Sequence, residues 1–501
     1  MNYLLAALPI LLVLALMLFF HRGSHQAGFA GWLAGIAVAF LFFGLNGSVL
    51  WVSQVKALLL TVNVLAVLWP ALLLYHIVDN AGGVRAIANA LQQMIPEPGW
   101  LLVVLAWMLS PLMENLAGFG LPIAIVAPML ILLGVIPVRA VAAVAVGHSW
   151  AVSLGGMALA LRTMTDITGL SETEVFPSAA ILLGVCVLLT GLASAWLLNQ
   201  LHFWKRIVLL SLIVALTQFL VGYFVTIPLS SFSAAIVGVL AGMLLGMRPP
   251  GEKIRAEMTP QLQGGLVAYG FLFISIILVS VIQPLNSWLA GVRLNSNFPE
   301  VVTNHGVVTA AGPGFIYKPF THPGVWILLS ALVALLLLPR ITHSEKTNLG
   351  AALAATGRSG LPATLGTIFM IGLSTLMEHT GMTLTIARGL SQAFGNVYPL
   401  VAPLVGALGA FATGSNTNSN ILFGPMQKGV ALLLNISPVL LLAAQTTGGS
   451  LGSMIAPAKL AVGGSTNAMK GREGEILRMT LPIGLICTLL IGGLALILIS
   501  L

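Results

Sequence analysis

The sequence predicts an all-α polytopic membrane protein: an inverted-repeat architecture of about twelve transmembrane helices, with two re-entrant hairpins and discontinuous helices. Three observations carry that prediction. Of 501 residues, 58% are hydrophobic and only 7% charged, which leaves too little polar surface to face water on all sides. Apolar stretches of roughly 17 to 25 residues, the length that crosses a ~30 Å hydrocarbon core, recur with short polar gaps, where a barrel would show ~10-residue alternation. Two polar, glycine-rich islands, MENLAGFG at 113–120 and TGSNTNSN at 413–420, interrupt long apolar runs and read as related copies.

The first element is an apolar run to Phe20 with no basic segment ahead of it and no small-residue cleavage pattern behind it, so it reads as a retained helix over 3–20. Further spans follow at 27–45, 57–78, 138–160, 178–198, 206–224, 229–247, 265–290, 324–339, 361–377, 438–460 and 478–500, which makes twelve crossings. The segments 99–135 and 398–434 are each broken in the middle by a polar island, which suits a re-entrant hairpin with the island at its tip. Second breaks are expected at Gly147-His148-Ser149 through Gly155-Gly156, and at Gln445-Thr446-Thr447-Gly448-Gly449 through Gly452-Ser453.

The net charge of +8 is spread as small basic clusters at span ends. That pattern orients helices in a bilayer and excludes a nucleic-acid partner. Placing 202–206, 248–255, 340–358 and 470–478 on the cytoplasmic face puts both termini and the 33-residue loop 291–323 outside. It also brings the first hairpin in from the cytoplasm and the second from the exterior. Cys186 and Cys487 both fall inside apolar runs, which leaves no disulfide framework and no metal-ligand spacing.

An internal repeat supports the inversion independently of charge. Asp79-Asn80-Ala81-Gly82 lies over Glu378-His379-Thr380-Gly381, and Ile87-Ala88 and Leu91 over Ile386-Ala387 and Leu390, all at an offset of 299. Beyond the tips Gly155-Gly156-Met157 lies over Gly452-Ser453-Met454 at an offset of 297. The expected organisation is repeat one over 1–200, linking helices over 201–260 and repeat two over 261–501.

Inverted repeats with helices broken near the midplane are the architecture of secondary transporters, in which exposed helix ends present partial charges to an ion or anionic substrate. Gly118 and Gly120 let the backbone approach a ligand, and Pro122 can begin a helix without wasting an amide. Asn115, Ser415, Asn416, Thr417, Asn418 and Ser419 supply neutral donors and acceptors suited to a carboxylate. The same small residues would also serve close helix packing. No HExxH or paired Asp-rich motif is present, so an integral-membrane enzyme is not expected.

ENLAGFGLPIA at 114–124, HTGMT at 379–383, TGSNTNSNILFG at 413–424 and QTTGGSLGSMIAP at 445–457 together resemble the L-lactate permease family of bacterial monocarboxylate transporters. The resemblance covers most of the chain. It implies carriage of a small 2-hydroxymonocarboxylate (L-lactate, with glycolate or D-lactate as further candidates) with protons across the cytoplasmic (inner) membrane. It departs from the family pattern at Asn115, at Leu121-Pro122, at Asn416 and at Gln445.

Intramembrane acids are few enough to weigh singly. Glu114 abuts the tip of hairpin one and is the leading proton carrier, with a fixed hydrogen-bonding role as the alternative. Asp79 and Glu378 occupy equivalent places in the two repeats and are further coupling candidates, although each also suits a solvated or capping position. His148 and Ser149 lie in the first discontinuous helix, where the imidazole can relay a proton, meet the substrate hydroxyl or bond a neighbour. Gln445, Thr446 and Thr447 are their counterparts in the second. Lys428 either faces the cavity as a carboxylate partner or snorkels outward, while Arg139, Arg162 and Lys459 read as orientation anchors without chemistry.

Phe119, between two glycines, can gate the substrate, touch its methyl group or simply pack. Trp51, Trp100, Trp204 and Trp288 read as interfacial belt residues. No cofactor or metal is called for. The expected partners are a small carboxylate, protons and the bilayer, with a homodimer as one possible assembly. A sodium-coupled carboxylate or anion symporter is the competing class, because Ser-Asn-Thr at hairpin tips also resembles the sites of sodium-dicarboxylate symporters.

Overall fold

A computed structural model describes residues 2–20, 22–117, 121–246, 257–342, 349–456, 459–460 and 473–500. The chain opens with α1 (Asn2–Leu18), α2 (Ser24–Phe42), the long α3 (Gly47–Asn80) and the short α4 (Gly83–Met94). Asn46 starts α3 by accepting the Val49 amide at 3.0 Å. Gly82, at φ 77° and ψ 4°, ends it, a left-handed conformation that favours glycine.

The first hairpin rises through α5 (Pro98–Val104), a π-helical turn over Leu105–Leu109 and α6 (Ser110–Ala117), and returns as α7 (Leu121–Leu132). Its expected tip, Gly118, Phe119 and Gly120, lies outside the described residues. Next come α8 (Pro137–Gly147) and α9 (Gly155–Thr168), bent by 56° about a break that includes Ser153. Gly156, Met157 and Ala158 are all left-handed there, a strained run of the kind that persists where the surroundings fix it. The helix continues to Thr168, past the expected end at 160.

Ser171 and Glu174 form a capping box that begins α10 (Glu172–Leu197). The helices α11 (Trp204–Phe224) and α12 (Ser230–Gly246) follow. The second half starts at α13 (Pro260–Val281), capped by Thr259, and here the expected span 265–290 is two elements. The chain breaks at Ile282, and Pro284 helps restart it as α14 (Gln283–Ala290), which buries nothing. The loop beyond α14 carries four short strands: β1 (Leu294–Phe298) pairs antiparallel with β4 (Gly312–Tyr317), and β2 (Val301–Val302) with β3 (Val308–Thr309).

Then α15 (Pro323–Thr342), α16 (Leu349–His379) and α17 (Met382–Phe394) repeat the pattern of the first half, and Gly381, at φ 76° and ψ 4°, matches Gly82. The second hairpin is α18 (Tyr398–Thr413) and α19 (Asn416–Leu434). The chain closes with α20 (Pro438–Gly452) and α21 (Glu473–Ser500).

Ten described helices are long and apolar enough to cross a bilayer, or eleven with the bent α8–α9 pair. They differ from the twelve expected crossings at three places. The first helix is 17 residues long and α20 only 15, and the stretch Met382–Thr413 qualifies because amphipathic α17 runs into the first arm of the second hairpin. Trp100 is also not an interfacial residue: it is fully buried and donates to the Gly242 carbonyl at 2.7 Å. Trp51, Trp204 and Trp288 are exposed.

One further expectation is corrected. The helix α20 runs unbroken through Gln445–Gly449 and gives way only at Ser453. Its glycines serve close approach. A Cβ on Gly448 would lie 1.9 Å from the Pro403 carbonyl oxygen, and one on Gly449 would lie 1.9 Å from Asn416 Oδ1. In the first half Gly147 makes the matching approach, 2.0 Å from the Ala106 oxygen.

Candidate functional site

Ser415 organises the tip of the second hairpin. Left-handed Gly414 ends α18, and Ser415 Oγ accepts the Asn418 amide at 3.3 Å as the cap of α19. Thr413 Oγ1 accepts the Ser415 amide at 3.3 Å and donates to the Gly409 carbonyl at 2.7 Å. The helix thus begins at the tip, and its N-terminal partial charge favours an anion there.

A cavity of about 220 Å³ opens at this tip. Thr413, Gly414, Ser415, Thr417, Asn418 and Lys459 give it a polar wall, and Val64, Leu68, Leu159, Pro362 and Ala363 an apolar one, with Ser24 and Thr367 beside them. Four side chains with hydroxyl or amide groups and one cation, facing aliphatic carbon, suit a small anion with a short apolar tail.

Lys459 is buried, with Nζ 3.4 Å from Glu114 Oε1 and both side chains 7% exposed. Glu114 Oε2 has no partner among the described residues. Apolar replacement of a buried ion pair is often neutral or stabilising, so folding alone gives little reason to keep this one. The place of Lys459 on the cavity wall makes the pair a handle for charge.

Behind the tip, a polar seam joins the two halves. Asn416 Nδ2 donates to Ser153 Oγ at 2.9 Å and to the Thr446 carbonyl at 3.2 Å. Ser153 Oγ donates to that same carbonyl at 2.7 Å, and Ser450 Oγ donates to the Ser149 carbonyl at 2.5 Å. Asn420 Nδ2 donates to Thr446 Oγ1 at 2.9 Å, and Gln427 Nε2 to Gln445 Oε1 at 2.9 Å. The break between α8 and α9 exists where it must reach α19 and α20.

Of the residues singled out in the sequence, Ser415, Thr417 and Asn418 line the cavity. Asn416, Gln445 and Thr446 stand one layer behind it in the seam, and Thr447 is buried with its hydroxyl unpartnered among the described residues. Asn115 donates to the Pro111 carbonyl at 2.8 Å and to Ser231 Oγ at 3.1 Å. His148 and Ser149 turn back on their own helix, to the carbonyls of Val144 and Val146 at 2.9 and 2.7 Å.

Asp79 and Glu378 are not among the cavity's lining residues; Glu378 is exposed at the end of α16, and Asp79 stands at the end of α3 beside Tyr75. Lys428 does not line it either: its Nζ donates to the Thr168 carbonyl at 2.6 Å and so caps α9.

Sequence reasoning missed two charged residues. Lys459, set aside as an anchor, is the cation of the cavity; its signal was a lone lysine two residues beyond QTTGGSLGSMIAP. Asp166 accepts from Asn63 Nδ2 at 2.5 Å on the stretch of α9 beyond the expected span, and its neighbour Arg162 pairs with Glu172 at 2.7 Å.

Residues 2–501 match the family model described as L-lactate permease. The chain belongs to the L-lactate permease family. An L-lactate permease of Streptococcus iniae is 29% identical over 469 residues, which cover 87% of this chain and 92% of the relative. The glycolate permease GlcA of Escherichia coli K12 is 26% identical over 480 residues, covering 85% of this chain and 84% of its own. Among solved structures, the Alcanivorax borkumensis YdaH transporter aligns over 93% of this chain and 89% of its own, at 16% identity and a TM-score of 0.41. Membership of the L-lactate permease family makes the chain a permease and not an enzyme, and its apolar helices and bacterial relatives make it a multi-pass protein of the bacterial inner membrane.

Proposed function

We propose that this permease moves a small 2-hydroxymonocarboxylate, L-lactate with glycolate or D-lactate as further cargoes, in symport with protons. The observation that carries the reading is the cavity at the second hairpin: Lys459 is placed to hold a carboxylate, the Ser415, Thr417 and Asn418 side chains to take the 2-hydroxyl, and Val64 and Leu68 to meet a methyl group. Lys459 is the one charged residue among the described residues lining the cavity, which suits one carboxylate better than a dicarboxylate with its second charge. The names of the lactate and glycolate permeases among its relatives support the same substrate class.

Glu114 is the proton carrier in this reading, as the carboxyl that touches the cavity's cation. The division into repeat one (1–200), linking helices (201–260) and repeat two (261–501) is supported by the paired turns at Gly82 and Gly381 and the paired crossings at Gly147 and Gly448. A second reading, sodium coupling, is favoured by buried oxygens without partners among the described residues: Asn416 Oδ1, Asn420 Oδ1 and Thr447 Oγ1.

Uptake of labelled lactate by proteoliposomes separates the two, with lactate, glycolate, acetate, malate and a sulfonate analogue as competitors, each with and without sodium. An inward proton gradient without sodium is expected to drive accumulation, with lactate and glycolate competing best and malate least. Strict sodium dependence would replace the first reading by the second, and indifference to every monocarboxylate would end both.

A further inference from the structure

Lys459 belongs to two partners at once. It ion-pairs with Glu114 at 3.4 Å, and it lines the cavity beside Ser415, Thr417 and Asn418. Both members of the pair are buried, and Glu114 keeps one carboxylate oxygen without a partner among the described residues. We propose that the substrate carboxylate takes Lys459 from Glu114, and that Glu114 takes up the symported proton because it has lost its counter-ion. The inference rests on the carboxylate reading of the cavity.

The charge balance closes in each state. The empty site holds one carboxylate and one ammonium, net zero. A bound monocarboxylate adds one negative charge, and a proton from water on the side of loading adds one positive charge, so the loaded site is again neutral. With the proton alone the buried site carries +1, and with the anion alone it carries −1. Both are penalised at membrane depth, so neither ligand crosses well without the other. One substrate and one proton then cross together, and the empty carrier returns as the closed Glu114–Lys459 pair.

A titratable group close enough to feel both members of this pair is His148, on the break between α8 and α9. Its Nδ1 lies 2.9 Å from the Val144 carbonyl, and its Nε2 is buried without a partner among the described residues. Among the described residues, no hydrogen bond or ion pair joins another acid or base to Glu114 or Lys459.

The test is proton uptake on binding. The purified protein in nanodiscs, in weak buffer with a pH indicator, is titrated with L-lactate and with glycolate while binding is followed by calorimetry. About one proton is expected per carboxylate bound, matching the charge that must be neutralised. E114Q is expected to bind carboxylate with no proton taken up, H148Q to keep the proton, and K459Q to bind about tenfold or more weakly, with K459R recovering part of the loss.

Proton uptake that survives in E114Q, or that vanishes in H148Q, overturns the assignment, as does parental affinity in K459Q. If K459Q fails to fold because Glu114 is left unpaired, the E114Q/K459Q double variant removes both charges; weak, proton-free binding is expected from it, and parental affinity overturns the proposal. A parent protein that binds neither carboxylate instead ends the functional reading on which the inference rests.

Discussion

Lys428 was the lysine the sequence offered as a carboxylate partner and Lys459 one it read as an anchor, and their surroundings separate them. Lys428 spends its ammonium on the Thr168 carbonyl at 2.6 Å. K428M is therefore expected to cost about 1 kcal/mol of stability, seen as a lower melting temperature in detergent, with KM for lactate close to that of the parent. A KM raised as much as in K459Q would return Lys428 to the site. The inward place of Lys459 was hidden in the sequence because a lysine near a span end has the same signature whether it snorkels or turns inward. Glu114 stood out in the sequence as a lone acid beside a glycine-rich break; its ion-pair partner, 345 residues away, did not.

Glycines carry the next level, where elements cross. Gly448 sits against the Pro403 carbonyl and Gly147 against the Ala106 carbonyl, so α20 and α8 each lie directly on the first arm of a hairpin. G448A places a methyl 1.9 Å from a backbone oxygen that has no rotamer to escape into. It is expected to cost about 3 kcal/mol or more and to abolish a monodisperse peak in size exclusion; parental stability would show that α20 does not pack as described. These glycines also explain the misplaced second break. A Gly-Gly pair in an apolar run signals either a break or a close crossing, and only the partner helix decides which. The π-helical turn at Leu105–Leu109 left no sequence signal that was read, whereas the island did mark the hairpin tip, where Gly414 turns and Ser415 caps α19.

Over the whole molecule, the offset of 299 between Gly82 and Gly381 proved the more durable signal, because both are left-handed turns of nearly identical φ and ψ. Hydropathy gave most spans within a few residues but divided 265–290 wrongly, since it is insensitive to a turn such as Ile282 inside an apolar stretch. The inverted topology itself follows from basic clusters, and it can be tested by labelling, helped by the fact that Cys186 and Cys487 are both buried. A cysteine introduced at Asn304 is expected to react with a membrane-impermeant maleimide in intact cells. One at His202 is expected to react only after permeabilisation. The opposite pattern would invert the assignment, and equal labelling of both sites would contradict the crossing count between them.

The most direct measurement is a cryo-EM structure of the transporter with glycolate or L-lactate bound. The expected density fills the cavity at the second hairpin, with the carboxylate within hydrogen-bond distance of Lys459 Nζ, the hydroxyl against Ser415, Thr417 or Asn418, and Glu114 drawn away from the ammonium. Substrate density elsewhere, with Lys459 still closed on Glu114, would contradict it.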